Sequence, residues 1–422
     1  MYRACVRFSV VLCFFWFSVL SNADTPEEHF RKAVDACSRH SHEECITEAT
    51  LAITESEDPA LASIGARSLL VYSLIKRNEE GDKARALSEI PHLLQHRDSR
   101  SEARFAYGMC LAANGRKEEA INEISEAIEM NGRLSFAYIE RANLYLNAII
   151  SSESQEELRE LTTNMCQDYD SAAQLAQPPQ GVYFLKACAL CQIGNYIDSC
   201  EILGEIYDSG WQHRHLTRIY CWTLRKCAFE LVESSGNLIY SLSLCDIALE
   251  LEPGNAYGWA LRAMVNLRAG NLSAAMLDSQ EAVERASEKD NQLVFGTRGT
   301  VFFMLHNMHA ANSDYQLAID SGEDSPFITK QYGATCLYLG KTTEAVECFT
   351  HALTTQSDDI VCLNMRATAY RLLDMNEEAS ADEARAEGLI VGRASLERSV
   401  QAIIRDFDTY SFPEEESYEF LE

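Results

Sequence analysis

Small residues recur along this chain at a spacing that suits a stack of like units better than a single core. Four stretches show it: YGMCLAANGRKEEAINEISEAIEMNG in 101–134, GWALRAMVNLRAGNLSAAMLDSQEAVERA in 256–286, YGATCLYLGKTTEAVECFTHAL in 326–353 and MRATAYRLLDMNEEASADEARAE in 360–387. In each, a small residue is followed three places on by an aliphatic or aromatic one, and a Gly or its substitute lies four beyond. An Ala, a bulky residue and another Ala come later, and the pattern returns after about 34 residues. A small residue on each of two helices lets them approach closely, while the bulky neighbours fill the groove beside them. One such hairpin cannot bury its apolar face alone, so successive hairpins must stack.

The pattern resembles the tetratricopeptide repeat, W-x2-L-G-x2-Y followed by A-x3-F-x2-A and a terminal Pro. Gly108, Ala142, Ala187, Ala263, Gly299, Gly333 and Ala367 take the small position of the first helix, with Leu111, Tyr145, Leu190, Phe302, Cys336 and Tyr370 three places later. Gly115, Gly194, Gly236, Gly270 and Gly340 fall in the turn, where glycine supplies the left-handed conformation that ends a helix. Ala120, Ala275, Ala311, Ala345 and Ala379 take the first small position of the second helix, and Ala127, Ala172, Ala248, Ala282, Ala318, Ala352 and Ala386 the next. Trp259 and Pro253 match the Trp and the terminal Pro. The resemblance implies an all-α solenoid, a right-handed superhelix of antiparallel helix pairs. It also implies that segments of other proteins bind on a concave face lined by the first helices.

Laid along the chain, the frame predicts about ten helix pairs over 26–393. The second pair has no good small residue in its first helix. The fourth carries a polar insertion near 151–163, and the sixth has Phe229 where a small residue belongs. A capping helix is expected over 394–408 and a short acidic tail over 409–422. Ahead of the array, Arg3 and Arg7 precede an apolar run from Phe8 to Leu20 and then Ser21-Asn22-Ala23. This is the pattern of a cleavable secretory signal over 1–23. The run is short for a membrane span, which needs about 20 apolar residues. The expected location is therefore extracytoplasmic: secreted, periplasmic or in the lumen of the secretory pathway.

Charge narrows the partners. The chain carries 36 basic and 64 acidic residues, a net charge of −28, and loss of Arg3 and Arg7 with a signal leaves 34 basic residues. Such a surface repels nucleic acid and anionic membranes. Proteins or peptides are the expected partners, and the concave positions of the frame include Phe105, Met109, Ile139, Asn143, Phe184, Cys188, Lys226, Glu230, Met264, Lys330 and Asn364. The clamp that some repeats of this kind use for C-terminal carboxylates needs paired Lys, Asn and Arg. Here Lys330 is followed by Ala334 and Lys226 by Glu230, so no repeat triplet supplies the set.

No catalytic motif stands out, and the expectation is a non-catalytic scaffold or adaptor with no cofactor and no metal. The alternative is a lumenal client-holding protein similar to chaperone-associated repeat proteins, though without the His-Pro-Asp tripeptide of a J domain. Cys188, Cys191 and Cys200 cluster, but the first two fall late in a first helix, and a fourth metal ligand is missing. His92 and His96 are four apart on an expected helix without the Glu of a zinc peptidase. Cys37 and Cys45 straddle the first turn and are a candidate disulfide. Cys336 reads as a small buried apolar residue. Asn271-Leu-Ser273 is a glycosylation sequon in a turn.

Overall fold

The computed structural model describes residues 25–56, 62–152, 154–176, 178–234, 236–322 and 325–389, and every long element among them is a helix. The expected signal, capping helix and acidic tail lie outside the described residues. Two units divide near Trp211. In the first, α1 (Pro26–Ser38) pairs with α2 (His42–Thr54), and α3 (Ala62–Arg77) with the short α4 (Asp82–Ser88) and α5 (Ile90–Leu94). Then come α6 (Ser101–Ala113) with α7 (Lys117–Met130), α8 (Ser135–Ile149) with α9 (Gln155–Leu175), and α10 (Gln180–Gln192) with α11 (Tyr196–Asp208). The second unit holds α12 (Leu216–Ser234) with α13 (Leu238–Leu251), α14 (Ala256–Arg268) with α15 (Leu272–Arg285), and α16 (Asn291–Met304) with α17 (Met308–Asp320). It continues with α18 (Pro326–Tyr338) on α19 (Thr342–Thr355) and α20 (Ile360–Leu372) on α21 (Asn376–Leu389). No described helix is long and apolar enough to cross a membrane. The fold is an all-α array of tetratricopeptide-type helix pairs.

Small residues set the approach within each pair. Ala120, Ala275, Ala311, Ala345 and Ala379 are all 0% exposed. A methyl added at Gly333 of α18 would sit 2.9 Å from the Phe349 ring and 3.0 Å from Cys348 Cβ of α19, so only glycine fits there. Phe229 is half-buried, and the small buried residue of α12 is its neighbour Ala228.

The turns share one device. Gly115, Gly194, Gly270 and Gly340 have φ between 76° and 80°, and the next residue's N–H reaches back to the helix, as Arg116 N does to Leu111 O at 3.0 Å. This double bond-back satisfies carbonyls that the helix end would otherwise strand. His40, His306 and Asp374 adopt the same left-handed conformation, with the same bonds from Ser41, Asn307 and Met375.

Two pairs depart from the plan for local reasons. Pro91 has no N–H and cannot continue a helix, so the second helix of the second pair is split into α4 and α5. The polar insertion extends α9 to 21 residues, opened by Ser154 as its cap.

A set of buried ion pairs crosses from first helix to second. Arg262 donates through Nε and Nη2 to both oxygens of Asp278 (3.1 and 2.7 Å), Arg298 to Asp314 (2.7 and 2.9 Å) and Arg366 to Asp382 (2.7 and 2.7 Å), each 16 residues apart. Arg141 and Asp168 form the same fork at 2.8 and 2.6 Å, but 27 apart because the insertion lies between them. The four carboxylates are 3–6% exposed, and the two-pronged geometry is what makes that burial tolerable. Burial pushes the Asp168 carboxyl up, and Arg141 opposes it. Three of the arginines also reach back to the preceding second helix: Arg141 to Ser125 (2.8 Å), Arg262 to Asp246 (2.7 Å) and Arg366 to Thr350 (3.1 Å). Trp259 has two guanidinium groups near its ring, Arg262 at 4.6 Å and Arg285 at 5.0 Å, and donates to Pro253 O at 2.8 Å.

Candidate functional site

The first helices of five successive pairs in the first unit, α1, α3, α6, α8 and α10, line one cleft of about 350 Å³. Its wall is aromatic. The Phe105 and Phe136 rings meet edge-on at 5.0 Å, and the Tyr72 ring lies 6.1 and 6.2 Å from them. Val34, Leu69, Ile139 and Val182 add aliphatic surface, and Pro178 and Pro179 close one side from the α9–α10 connection.

The polar part of the cleft is a connected network. Lys76 Nζ donates to the Glu140 carboxylate at 2.7 Å, and Glu140 is 6% exposed. Tyr72 Oη (3.4 Å) and Asn143 Nδ2 (3.4 Å) also donate to that carboxylate, and Asn143 Oδ1 accepts from Tyr169 Oη at 2.9 Å. A buried carboxylate needs such partners. Burial, with Glu140 nearby, holds the Tyr72 phenol far above its ordinary pKa. His42 opens α2 with its ring edge-on to Tyr72 at 6.1 Å and its Nδ1 buried without a hydrogen-bond partner. Burial lowers the His42 pKa, His40 and Lys76 add to that, and Glu140 opposes it.

Of the residues expected on the concave face, the structure brings Phe105, Ile139 and Asn143 together in this cleft. Phe105 is itself only 2% exposed; Met109 (5%), Phe184 (6%), Cys188 (0%) and Met264 (4%) are also buried but do not line the cleft, because first helices of adjacent pairs pack on one another as well as on their own partners. Phe184 packs against Trp211, ring centroids 5.6 Å apart. Lys330, also buried, is held by Asp359, whose Oδ2 lies 2.8 Å from its Nζ. Lys226 places its ammonium 5.6 Å from the Trp222 ring, Glu230 is exposed, and Asn364 is half-buried.

Cys37 and Cys45, the candidate disulfide, stand as two thiols with no bond between them. They are neighbours across the first turn, each moving the other's pKa, and Cys37 borders the cleft. Cys191 Sγ lies 3.1 Å from Ser199 Oγ inside the α10–α11 packing. His92 and His96 do not share a helix face, because α5 ends at Leu94. Among the described residues no three His, Cys, Asp or Glu side chains gather as metal ligands. Asn271 is exposed at the start of α15, with Nδ2 donating to Asn266 Oδ1 at 3.3 Å.

Tyr72, Lys76, Phe136, Glu140, His40 and His42 were not among the expected binding residues. A signal for the second pair was present in Asn78, a residue type that tolerates a positive φ and has one here (53°). Taking Asn78 as the turn residue places Tyr72 six residues before it, as Met109 stands before Gly115.

Parts of the chain are similar to known proteins. Residues 101–133, which form α6, α7 and the turn after them, match the tetratricopeptide repeat family model. The pair at 101–133 is a tetratricopeptide repeat. Tetratricopeptide repeat protein 13 of Homo sapiens is 25% identical over 123 residues, which are 29% of this chain and 14% of that protein. The match thus spans a small part of that relative's length. Among solved structures, YrrB, described as a TPR protein with an unusual peptide-binding site, is 19% identical (TM-score 0.35) over 43% of this chain and 90% of its own. MamA from Desulfovibrio magneticus RS-1 is 9% identical (TM-score 0.36) over 42% and 97%. Proteins built from these repeats are generally protein-interaction scaffolds.

Proposed function

We propose that this chain is a non-catalytic adaptor that binds an extended or helical peptide segment of a partner protein in the cleft of its first unit, outside the cytosol. The observation that carries the reading is the cleft itself. First helices of five successive pairs converge on an aromatic wall beside which Lys76 and Glu140 already satisfy one another. Such a site gains little from a charged ligand and much from burying an aromatic or branched aliphatic side chain, with the Lys76–Glu140 network at its edge fixing orientation. The location follows from the basic, apolar and small-residue pattern of 1–23.

Selection of displayed peptides on the full chain tests it. The selected peptides should share one apolar anchor, and Phe136→Ala and Ile139→Ala, both at half-buried positions, should each weaken them at least about tenfold, or ~1.4 kcal/mol. Equal binding by variants whose melting is unchanged would remove the cleft from the interaction.

A further inference from the structure

A second thiol pair, far from the cleft in sequence, is arranged for chemistry. Cys336 sits in α18 and Cys348 in α19, on either side of the Gly340 turn, and their side chains are neighbours, each moving the other's pKa. The contact depends on Gly333: with no side chain there, α19 packs so close that Cys348 Cβ comes within 3.0 Å of where a Gly333 methyl would be. One sulfur is deeply placed and the other is reachable, since Cys336 is 0% exposed and Cys348 half-buried.

The surroundings of Cys336 are built to hold a thiolate. Asn312 Nδ2 donates to Cys336 Sγ at 3.1 Å and also reaches Thr335 Oγ1 at 3.0 Å. The amide cannot turn its oxygen toward the sulfur, because Lys341 Nζ donates to Asn312 Oδ1 at 3.1 Å. Glu344 stands against a negative sulfur, with Oε2 3.8 Å from Sγ, and Lys341 Nζ lies 3.6 Å from that carboxylate. The balance favours the anion: the Cys348 thiol and the Asn312 amide bring Cys336 down to about 7, and the same contact raises Cys348. The pair therefore shares a proton, with Cys336 the more acidic partner.

We propose that Cys336 and Cys348 are a disulfide-forming pair that ties α18 to α19 in the presence of a small-molecule disulfide such as oxidised glutathione. Cys348, the accessible sulfur, passes its proton to Cys336 and attacks one sulfur of the oxidant. This forms a mixed disulfide and releases one glutathione thiolate. Cys336 then gives up its proton, and its thiolate attacks Cys348 Sγ and expels the second glutathione thiolate. Two sulfurs lose two electrons, one glutathione disulfide gains them, and the pair's one shared proton and one drawn from solvent end on the two released thiols. The inference is independent of peptide binding in the first unit.

The test uses the folded full chain held in an oxidising glutathione buffer, quenched in acid, alkylated and mapped by peptide mass spectrometry. The expected product links the Cys336 and Cys348 peptides, and Asn312→Ala, which removes the donor to the sulfur, should slow its formation several-fold at pH 7. In Cys336→Ser the glutathione adduct on Cys348 should persist, because no resolving thiolate remains. The proposal is overturned if both cysteines of the wild-type chain alkylate while circular dichroism shows it folded. A stable Cys348 adduct on the wild-type chain, or linkage of either sulfur to a different cysteine, overturns it equally.

Discussion

Left-handed backbone is costly for any residue with a Cβ, yet His40, Asn78, His306 and Asp374 all adopt it in turns between helices. In the sister turns glycine does the same work at φ between 76° and 80°. The cost for an L-residue is about 1–2 kcal/mol, partly returned because glycine has more freedom to lose on folding. His306 is exposed and its backbone N–H bonds to Phe303 O, an interaction that glycine keeps. His306→Gly is therefore expected to raise stability by about 0.5–1 kcal/mol, read as a higher urea midpoint at unchanged slope. A lower midpoint would mean that the imidazole contributes something the turn geometry does not show. Glycine turns were legible in the sequence because the residue type and the conformation coincide. The Asn78 turn was not, since asparagine serves many roles, and losing that register hid Tyr72 and Lys76 of the cleft.

Between helices, the Arg–Asp forks carry more of the specificity than the sequence pattern reveals. Arg298 is bound on one side by Asp314 and lies 5.6 and 5.8 Å from the Phe295 and Phe302 rings. Removing one partner of a buried pair strands the other, at a cost of about 3–5 kcal/mol, whereas replacing both with apolar groups is often close to neutral. Arg298 keeps some solvent contact, so Asp314→Ala should fall near about 3 kcal/mol in chemical denaturation. Arg298→Met combined with Asp314→Leu should recover most of that loss. If the double variant is no better than the single one, the fork is not the source of the effect. The small residues that set helix approach were readable because the array repeats them. The fork at a spacing of 16 was readable in principle in three pairs, but the insertion hides the fourth. Burial of Lys330 was not readable at all, because Asp359, which accepts its charge, caps the first helix of the following pair.

Taken whole, the chain carries far more negative charge than positive, at −28. The forks neutralise the buried carboxylates locally, so the excess is a property of the surface, where like charges repel one another. Raising ionic strength from about 10 mM to about 150 mM shortens the screening length from about 30 Å to about 8 Å and should raise the melting temperature. A melting temperature that falls over that range would show that attractive surface pairs outweigh the repulsion. The forks also bear on how such a chain can change its length. Each of these buried carboxylates finds its guanidinium inside its own helix pair. A duplication or deletion of one whole pair thus carries the charge together with its counter-ion, while a break between a first helix and its second would leave a naked charge in the core. For these four pairs, rearrangement in steps of a whole repeat keeps each charge with its counter-ion, whereas Lys330, held by Asp359 of the following pair, would lose its partner.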